Sequence, residues 1–344
     1  MNLLNYIIRR LLLLVLVMFG VSVLVFGLMM LIPPGMRVAV YVQTEKVTPE
    51  DMEQLIERYG LNDPAYEQYF DWVGSVAQGN FGYSVTAQAP VKEAFKRYFP
   101  ISVELVLVAA PFIILLGIWL GTLGAVHKDK PIDHTTRVLA IVGYSLPTFW
   151  LGLLLMMLFY GYGGIFPPGY LSDAAKDIVF SESFRRYTGL FLIDGILNGR
   201  PSMVCDSLYH LALPVITLVI LASALIMRLM RSSMLEALGQ DYIRTAMAKG
   251  ADRRTIYRKH ARRNGMLPVI TVAGILVARM LAGLIITETV FNRQGLGWWI
   301  AQAARQLDVP AIMFNVLFLS VIFVLVNLVV DILYAYIDPR IRLS

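Results

Sequence analysis

The stretch LLLLVLVMFGVSVLVFGLMMLI, residues 11–32, contains 22 consecutive residues without a charge. A helix rises about 1.5 Å per residue, so roughly 20 apolar residues cross the hydrocarbon layer of a membrane. A cleaved signal peptide has a shorter apolar core of about 7–15 residues, followed by small residues. This run is longer and ends at Pro33-Pro34. We therefore interpret it as a first membrane-spanning helix that the protein retains.

Five more apolar stretches follow the first one along the chain. Only 16% of the residues are charged and 57% are hydrophobic, whereas a soluble domain has about 25% charged residues. Backbone polar groups in lipid must be satisfied within the segment, which makes the spanning segments helices. The sequence therefore predicts an all-α polytopic membrane protein with about six transmembrane helices. Their predicted bounds are 11–32, 101–125, 138–162, 208–228, 267–291 and 311–336.

Lysine and arginine residues concentrate in alternate connections between these spans. The positive-inside rule assigns short basic connections to the cytoplasm. It predicts that both termini are cytoplasmic, and that the net charge of +6 reflects topology and lipid headgroup contact without nucleic acid. The basic segments are the turn 126–137 with Lys128, Lys130 and Arg137, the connection 229–266, and the terminal residues Arg9, Arg10, Arg340 and Arg342.

Two long insertions lie on the other side of the predicted membrane. In the first, 33–100, Thr48 can cap a helix, Pro49 suits its first turn and Gly60 can end it. A second apolar face follows in 64–77, so we expect a small extracytoplasmic helical cap. The other insertion, 163–207, has scattered Gly, Pro and Asp and is predicted to be irregular. The predicted organisation is a first helix at 1–32, the cap at 33–100 and a five-helix core at 101–344.

Several enzymatic motifs do not occur in the sequence. No Gly is followed by Lys, which excludes the phosphate loop G-x-x-x-x-G-K-[ST], and H-E-x-x-H does not occur. Gly143-Tyr144-Ser145-Leu146-Pro147 resembles a serine nucleophile turn only superficially, because Pro replaces the last Gly. A proline-kinked third helix is the favoured interpretation. Cys205 is the only cysteine and is read as a small loop residue, and the four histidines lack metal-ligand spacing.

The basic connection between the fourth and fifth spans has the strongest functional pattern. Its sequence is RSSMLEALGQDYIRTAMAKGADRRTIYRKHARRNGMLP, residues 231–268. The apolar spacing predicts a helix from about Ser232 to Lys249, which Gly250 ends, and Asp252 can cap a short second helix. Such a protrusion can fit a groove on a partner protein. The alternative is an ordinary amphipathic helix at the membrane surface.

The stretch Tyr242-Ile243-Arg244-Thr245-Ala246-Met247-Ala248-Lys249-Gly250 resembles the cytoplasmic loop of ATP-binding-cassette (ABC) importer permeases, in the oligopeptide/dipeptide/nickel branch. Other motifs extend the resemblance over nearly the whole chain: Tyr59 to Pro64, Gly79 to Ser84, Ser145 to Gly152, Glu288 to Phe291 with Gly295-Leu296-Gly297, and Asp338-Pro339-Arg340. Asn292-Arg293-Gln294 departs from the family, which often has an aromatic residue and a proline there.

The resemblance implies a type I ABC importer permease fold in a bacterial or archaeal cytoplasmic membrane. It also implies a second homologous permease, two ATPase subunits or domains and an extracytoplasmic solute-binding protein as partners. ATP and Mg would be bound by the ATPases, with no cofactor in this chain. The solute would be a di- or oligopeptide or a similar small solute, such as a nickel chelate, glutathione or an oligosaccharide. The residues implied in coupling to the ATPases are Arg244, Thr245, Ala246, Lys249, Gly250, Ala251, Asp252 and His260.

Charged and polar residues inside the spans are candidates for the transport pathway, because charge is costly in lipid. Arg279 is predicted near the middle of the fifth span, where it would either attract a peptide carboxylate or pair with an acid on another helix. Asn315, Asn327 and Ser145 are further candidates. The remaining intramembrane acids, Glu104, Glu288 and Asp331, lie nearer the predicted ends of spans, where interface or cap roles are expected. An ion-coupled carrier or channel is the alternative function, although midplane acids and a filter loop are not evident.

Overall fold

The computed structural model describes residues 3–41 and 49–337, and almost all of its regular structure is helical. The long helices are α1 (Leu3–Met29), α5 (Val91–Val126), α6 (Pro131–Ser145), α10 (Pro201–Leu238), α13 (Arg262–Leu281) and α16 (Val309–Ile337). The shorter ones are α2 (Pro34–Arg37), α3 (Pro49–Arg58), α4 (Ala65–Ala77), α7 (Thr148–Leu155), α8 (Asp173–Phe180), α9 (Phe191–Leu197), α11 (Asp241–Ala248), α12 (Arg253–Thr255), α14 (Ile285–Val290) and α15 (Leu296–Arg305). Two-residue strands β1 (Tyr83–Ser84) and β2 (Ala89–Pro90) pair antiparallel.

Among the described residues, five helices are long and apolar enough to cross a membrane, and a bent pair can supply a sixth span. The pair joins α6 to α7 and its π-helical continuation, Met156–Tyr162, at an angle of 100°. Leu146 is extended, with ψ 131°, because the residue before a proline avoids the helical region. The predicted kink at Pro147 is therefore confirmed. The six predicted spans are matched when the bent pair is counted as one.

The core of the bundle forms where α5 and α10 lie side by side in parallel. Glycines on α5 allow the two backbones to approach closely: a Cβ at Gly121 would lie 2.5 Å from the carbonyl oxygen of Met227, and one at Gly117 would lie 2.6 Å from Ile226. Small residues at helix contacts are typical of membrane bundles, where tight packing replaces the hydrophobic drive. One cluster of buried apolar side chains extends from Leu105 of α5 to Ile243 and Ile256, which follow α10.

The basic connections lie at one end of the bundle, because successive long helices run in alternating directions. The turn 127–130, the segment 239–261 and the ion pair between Arg10 and Asp331, 2.7 Å, lie at this basic end. The hairpin of β1 and β2, α9 and α15 lie at the opposite end. Asp331 is therefore paired with the first helix.

The first insertion packs on α1 and α16 at the opposite end. Phe26 of α1 contacts Tyr69 and Trp72 of α4, and the buried Arg37 donates to the Oε1 of Gln68 at 2.7 Å. Pro49 begins α3, while Thr48 lies outside the described residues. Gly60, with φ +58°, follows the helix end, and α4 matches the predicted segment 64–77.

Several predicted boundaries are wrong. The fourth span, predicted at 208–228, is longer, because α10 runs from Pro201 to Leu238. Pro201 suits a first helical turn, and the polar residues Arg231 to Ser233 do not end the helix. Cys205 is therefore helical. The fifth, 267–291, stops at Leu281, where Gly283 has φ +116° and lies against Gly297. The predicted division between the cap, 33–100, and the core, 101–344, falls inside α5. The insertion 163–207 contains α8, which Ser172 caps, and α9.

Candidate coupling site at the basic end

The segment between α10 and α13 is built from two short helices. The predicted single helix from Ser232 to Lys249 is wrong, because the chain breaks at Gly239-Gln240, between α10 and α11. Gly250 then has φ +83°, a left-handed conformation that glycine adopts without a Cβ penalty. Its amide donates to the Met247 carbonyl oxygen at 2.9 Å. The chain continues through α12 and a π-helical turn, Ile256–Ala261, into α13.

Three side chains anchor this segment to the bundle. Ile243, Ile256 and Ala261 are almost fully buried and join the main core cluster beside Met234 of α10. A hydrogen bond adds a polar tether, because the Nδ2 of Asn264 donates to the Tyr242 hydroxyl at 3.0 Å. The two short helices are therefore fixed to the ends of two long helices.

The outer face of the segment is exposed and charged; we call its residues 244–254 the coupling surface. Arg244, Thr245, Lys249, Gly250 and Asp252 are exposed there, and Ala246 and Ala251 are half-buried. His260 is half-buried in the π-helical turn outside this surface. The eight residues implied in coupling thus lie in one segment, and seven of them share one surface. Their role in coupling remains a prediction.

Two local contacts order the coupling surface. Arg244 pairs with Asp241 at 3.4 Å, although both side chains are mostly exposed, and such surface pairs contribute about 0–1 kcal/mol. Asp252 caps α12, its Oδ2 accepting from the Thr255 amide at 3.4 Å. Hydrogen bonds from Thr255 hold the pKa of the exposed Asp252 carboxyl below its ordinary value of 3.8. The carboxylate is therefore charged at neutral pH.

The pathway candidates do not form one cluster. Arg279 is exposed in the last turn of α13, so its predicted place in the middle of a span is wrong: the helix ends two residues later. Within the described residues no hydrogen bond joins any two of the four candidates. Ser145 and Asn327 are exposed, whereas Asn315 is buried and its Nδ2 donates to the Ala311 carbonyl oxygen at 2.8 Å.

A buried ionic cluster at the opposite end joins α5, α10 and the chain around α14. Arg293 is fully buried, and its Nη2 donates to the Oε2 of Glu104 at 2.8 Å. The same carboxylate accepts from the Leu192 amide at 2.7 Å and from the Ser207 hydroxyl at 3.3 Å. We call Glu104, Arg293 and the adjoining Glu288 the outer cluster. Sequence reasoning noted Arg293 only as a departure from the family motif; an acid predicted inside a span was the signal that a cation must approach it.

Glu288 and Ser102 together hold the start of α15. Glu288 accepts from the Ser102 hydroxyl at 2.6 Å and from the Trp298 amide at 2.9 Å. Ser102 in turn accepts from the Leu296 amide at 2.7 Å. Two of the free amides that begin a helix are thereby satisfied. The acid near the end of the fifth predicted span therefore acts as a helix cap.

The sequence matches two families across nearly its whole length. Residues 113–343 match the binding-protein-dependent transport system inner membrane component, and residues 3–106 match the N-terminal part of such membrane components. The dipeptide transport system permease protein DppB of Escherichia coli K12 is 40% identical over 339 residues, which cover 98% of this chain and 99% of that protein. The oligopeptide transport system permease protein AppB of Bacillus subtilis is 35% identical, again over 98% of this chain and 99% of that protein.

Solved structures give an independent comparison of the fold. A chain of the inward-facing MetNI methionine ABC transporter has a TM-score of 0.51 at 17% identity, covering 72% of this chain and 97% of that one. The predicted importer permease fold is confirmed at this level. The identity is too low for the likeness to indicate more than the fold.

Proposed function

The chain belongs to the family of binding-protein-dependent transport system inner membrane components, as a permease subunit of an ABC importer, and we propose that it carries di- or oligopeptides. The observation that carries the substrate proposal is the end-to-end similarity to permeases named for dipeptide and oligopeptide transport. As a permease subunit the chain is not itself catalytic. ATP and Mg would be bound by its ATPase partners.

The proposed topology places the basic end of the bundle in the cytoplasm. The turn with Lys128 and Lys130 and the coupling surface both lie at this end, and short basic connections favour the cytoplasmic side. The first insertion and α8 and α9 would then face outward. Both termini would be cytoplasmic in a bacterial or archaeal membrane.

The proposed complex contains a second homologous permease, two ATPase subunits or domains and an external solute-binding protein. The coupling surface would fit a groove on one ATPase, because it is exposed, charged and anchored through buried Ile243 and Ile256. Closure of the ATPases on ATP would then push on α10 and α13 together. The bundle would alternate between inward and outward openings as a rigid-body, two-state switch.

Arg279 is the proposed contact for the peptide carboxylate. It is exposed in the last turn of α13 and forms no ion pair within the described residues. Arg279→Gln should lower uptake of a dipeptide more than uptake of the same dipeptide with an amidated C-terminus. Equal losses for both substrates would remove the carboxylate role.

The proposal is tested on the chain purified from native membranes in mild detergent. ATPases, a second permease and a binding protein are expected to copurify, and the reconstituted complex is expected to import a dipeptide only with ATP inside the vesicle. Uptake that ignores ATP and follows an ion gradient would instead favour a carrier. ATP-driven uptake of another solute would retain the importer and replace the peptide.

A further inference from the structure

A small cavity opens between α6 and α10 at the basic end of the bundle. Its volume is about 190 Å³, and three arginines line it together with an apolar wall. The arginines are Arg137, Arg228 and Arg231, and the wall includes Ala140, Ile141 and Met227. The cavity therefore combines positive charge with apolar surface.

The positive charge of the cavity is only partly neutralised within the described residues. Fully buried Asp133 accepts two hydrogen bonds from Arg231, from Nε at 2.5 Å and from Nη2 at 2.7 Å. The Nε of Arg137 lies 3.8 Å from the same carboxylate, and its Nη2 contacts the His134 ring. The Arg228 guanidinium lies 4.4 Å from the centre of the Tyr144 ring, an arrangement that keeps its charge. The cavity lining thus carries three guanidinium groups, against the buried carboxylate of Asp133 and the nearby carboxylate of Asp129. A net positive charge remains.

The apolar side of the cavity continues along the exposed face of α6. Val138, Ile141 and Tyr144 are each more than half exposed on this helix. The cavity lies beside the middle of α6, between about one and three helical turns from the turn 127–130 that joins α5 to α6. Arginine and tyrosine side chains of this kind are typical of the membrane interface, where they anchor to headgroups above the acyl chains.

We propose that this cavity binds the phosphate headgroup of an anionic phospholipid of the cytoplasmic leaflet, with an acyl chain along Ile141 and Tyr144. The proposal rests on the proposed function only for the orientation of the bundle. A phospholipid supplies both the anion and the apolar chain that the site calls for. A second permease seated here would have to bring acidic groups into the contact, because unpaired buried charge is costly.

The test counts lipids on the purified complex by native mass spectrometry, with phosphatidylglycerol or phosphatidylcholine added. Wild type should retain phosphatidylglycerol in preference to phosphatidylcholine. Arg137→Gln and Arg228→Gln should each weaken this retention about fivefold. Lys128→Gln is the matched control, because Lys128 is exposed in the adjacent turn and does not line the cavity. Arg231 is left unchanged because it pairs with Asp133.

Four results would overturn the proposal. Equal retention of the two lipids, or equal loss in the Lys128→Gln control, would mean that the cavity has no headgroup preference. Loss of the second permease from the Arg228→Gln complex would make the face a protein interface. Displacement of the lipid by millimolar inorganic phosphate would make free phosphate the ligand. Lipid retention is read without transport, so a wrong substrate would leave this result unaffected.

Discussion

The coupling surface and the outer cluster use charged residues in opposite ways. At the coupling surface the charges are exposed, and the Arg244–Asp241 pair is loose. In the outer cluster Glu104, Glu288 and Arg293 are almost completely buried, and each is hydrogen-bonded to another part of the chain. Exposed charged side chains remain available to a partner protein, whereas buried ones hold segments of the same chain together. Substitutions in the outer cluster should therefore lower stability, whereas substitutions at the coupling surface should lower transport.

The largest expected effect is on stability, from Glu104→Gln. This change removes the carboxylate that is hydrogen-bonded to Arg293 and leaves only Glu288 to balance its charge. Breaking a buried ion pair costs about 3–5 kcal/mol. We expect the variant to unfold at a lower SDS concentration than wild type when SDS is titrated into the detergent-purified protein. Tryptophan fluorescence reports the unfolding. The double variant Glu104→Leu with Arg293→Met should recover part of the loss, because an apolar pair can replace a buried ionic one.

The matched control for this prediction is Glu93→Gln. Glu93 pairs with Lys96 at 3.5 Å on the same helix, but both side chains are about 60% exposed, so the change should cost less than about 1 kcal/mol. Equal destabilisation by Glu104→Gln and Glu93→Gln would mean that the outer cluster is not a structural clamp.

Gly250→Pro should abolish transport while the protein still inserts into the membrane. Proline cannot adopt a φ of +83° and would remove the bond to Met247, a local cost of about 3 kcal/mol. We expect ATP-dependent uptake to fall at least tenfold, with unchanged amounts of chain in the membrane. The measurement is peptide uptake into vesicles, normalised to permease content.

Gly199→Pro tests whether the loss of uptake in Gly250→Pro depends on the place of the glycine in the fold or only on local backbone strain. Gly199 has φ +64°, its amide donates to the Ile196 carbonyl oxygen at 3.0 Å, and nothing lies within 4 Å of its Cβ position, as at Gly250. The same local strain at the opposite end should leave most of the uptake intact. Comparable loss of uptake in both variants would remove the special role of Gly250.

The sequence predicted best what depends on local chemistry. Apolar runs located the spans, Pro147 predicted the kink and Gly250 predicted the break, since each depends on neighbouring residues alone. The ends of α10 were missed because polar and charged residues, such as Asp206 and Arg231, lie near both ends of the helix and do not interrupt it. Hydropathy indicates which part of a helix lies in lipid, and a helix can extend beyond that part.

Contacts between distant residues were beyond sequence reasoning. Arg293 and Glu104 are separated by 189 positions, and no local pattern pairs them. The fifth span was predicted too long because the approach of Gly283 to Gly297, which ends the apolar helix early, is set by tertiary packing. This error also misplaced Arg279. The coupling segment, by contrast, was recognisable because its signals lie within about thirty residues.

A smaller effect is expected from Tyr242→Phe, which removes only the hydroxyl that accepts from Asn264. One hydrogen bond contributes about 0.5–1.5 kcal/mol, and an exposed one lies at the lower end. The amides of α11 should exchange with deuterium a few times faster, while those of α5 are unchanged. Thr135→Val is the control, because its hydroxyl bonds only to Pro131 within α6. Unchanged exchange in α11 would show that buried Ile243 alone holds the helix.

The smallest expected effect is that of pH on Asp252. Its folded pKa is lowered by hydrogen bonds from Thr255, so the stabilisation is complete above the ordinary pKa of 3.8 and is lost only as pH falls below it. Asp252→Asn keeps an oxygen that can cap α12. The ratio of its uptake to that of wild type should therefore stay constant between about pH 5.5 and 8. A ratio that changes within this range would place the carboxyl's pKa near neutrality, which requires an apolar or acidic partner surface over Asp252 and would turn this exposed charge into a buried one within the complex.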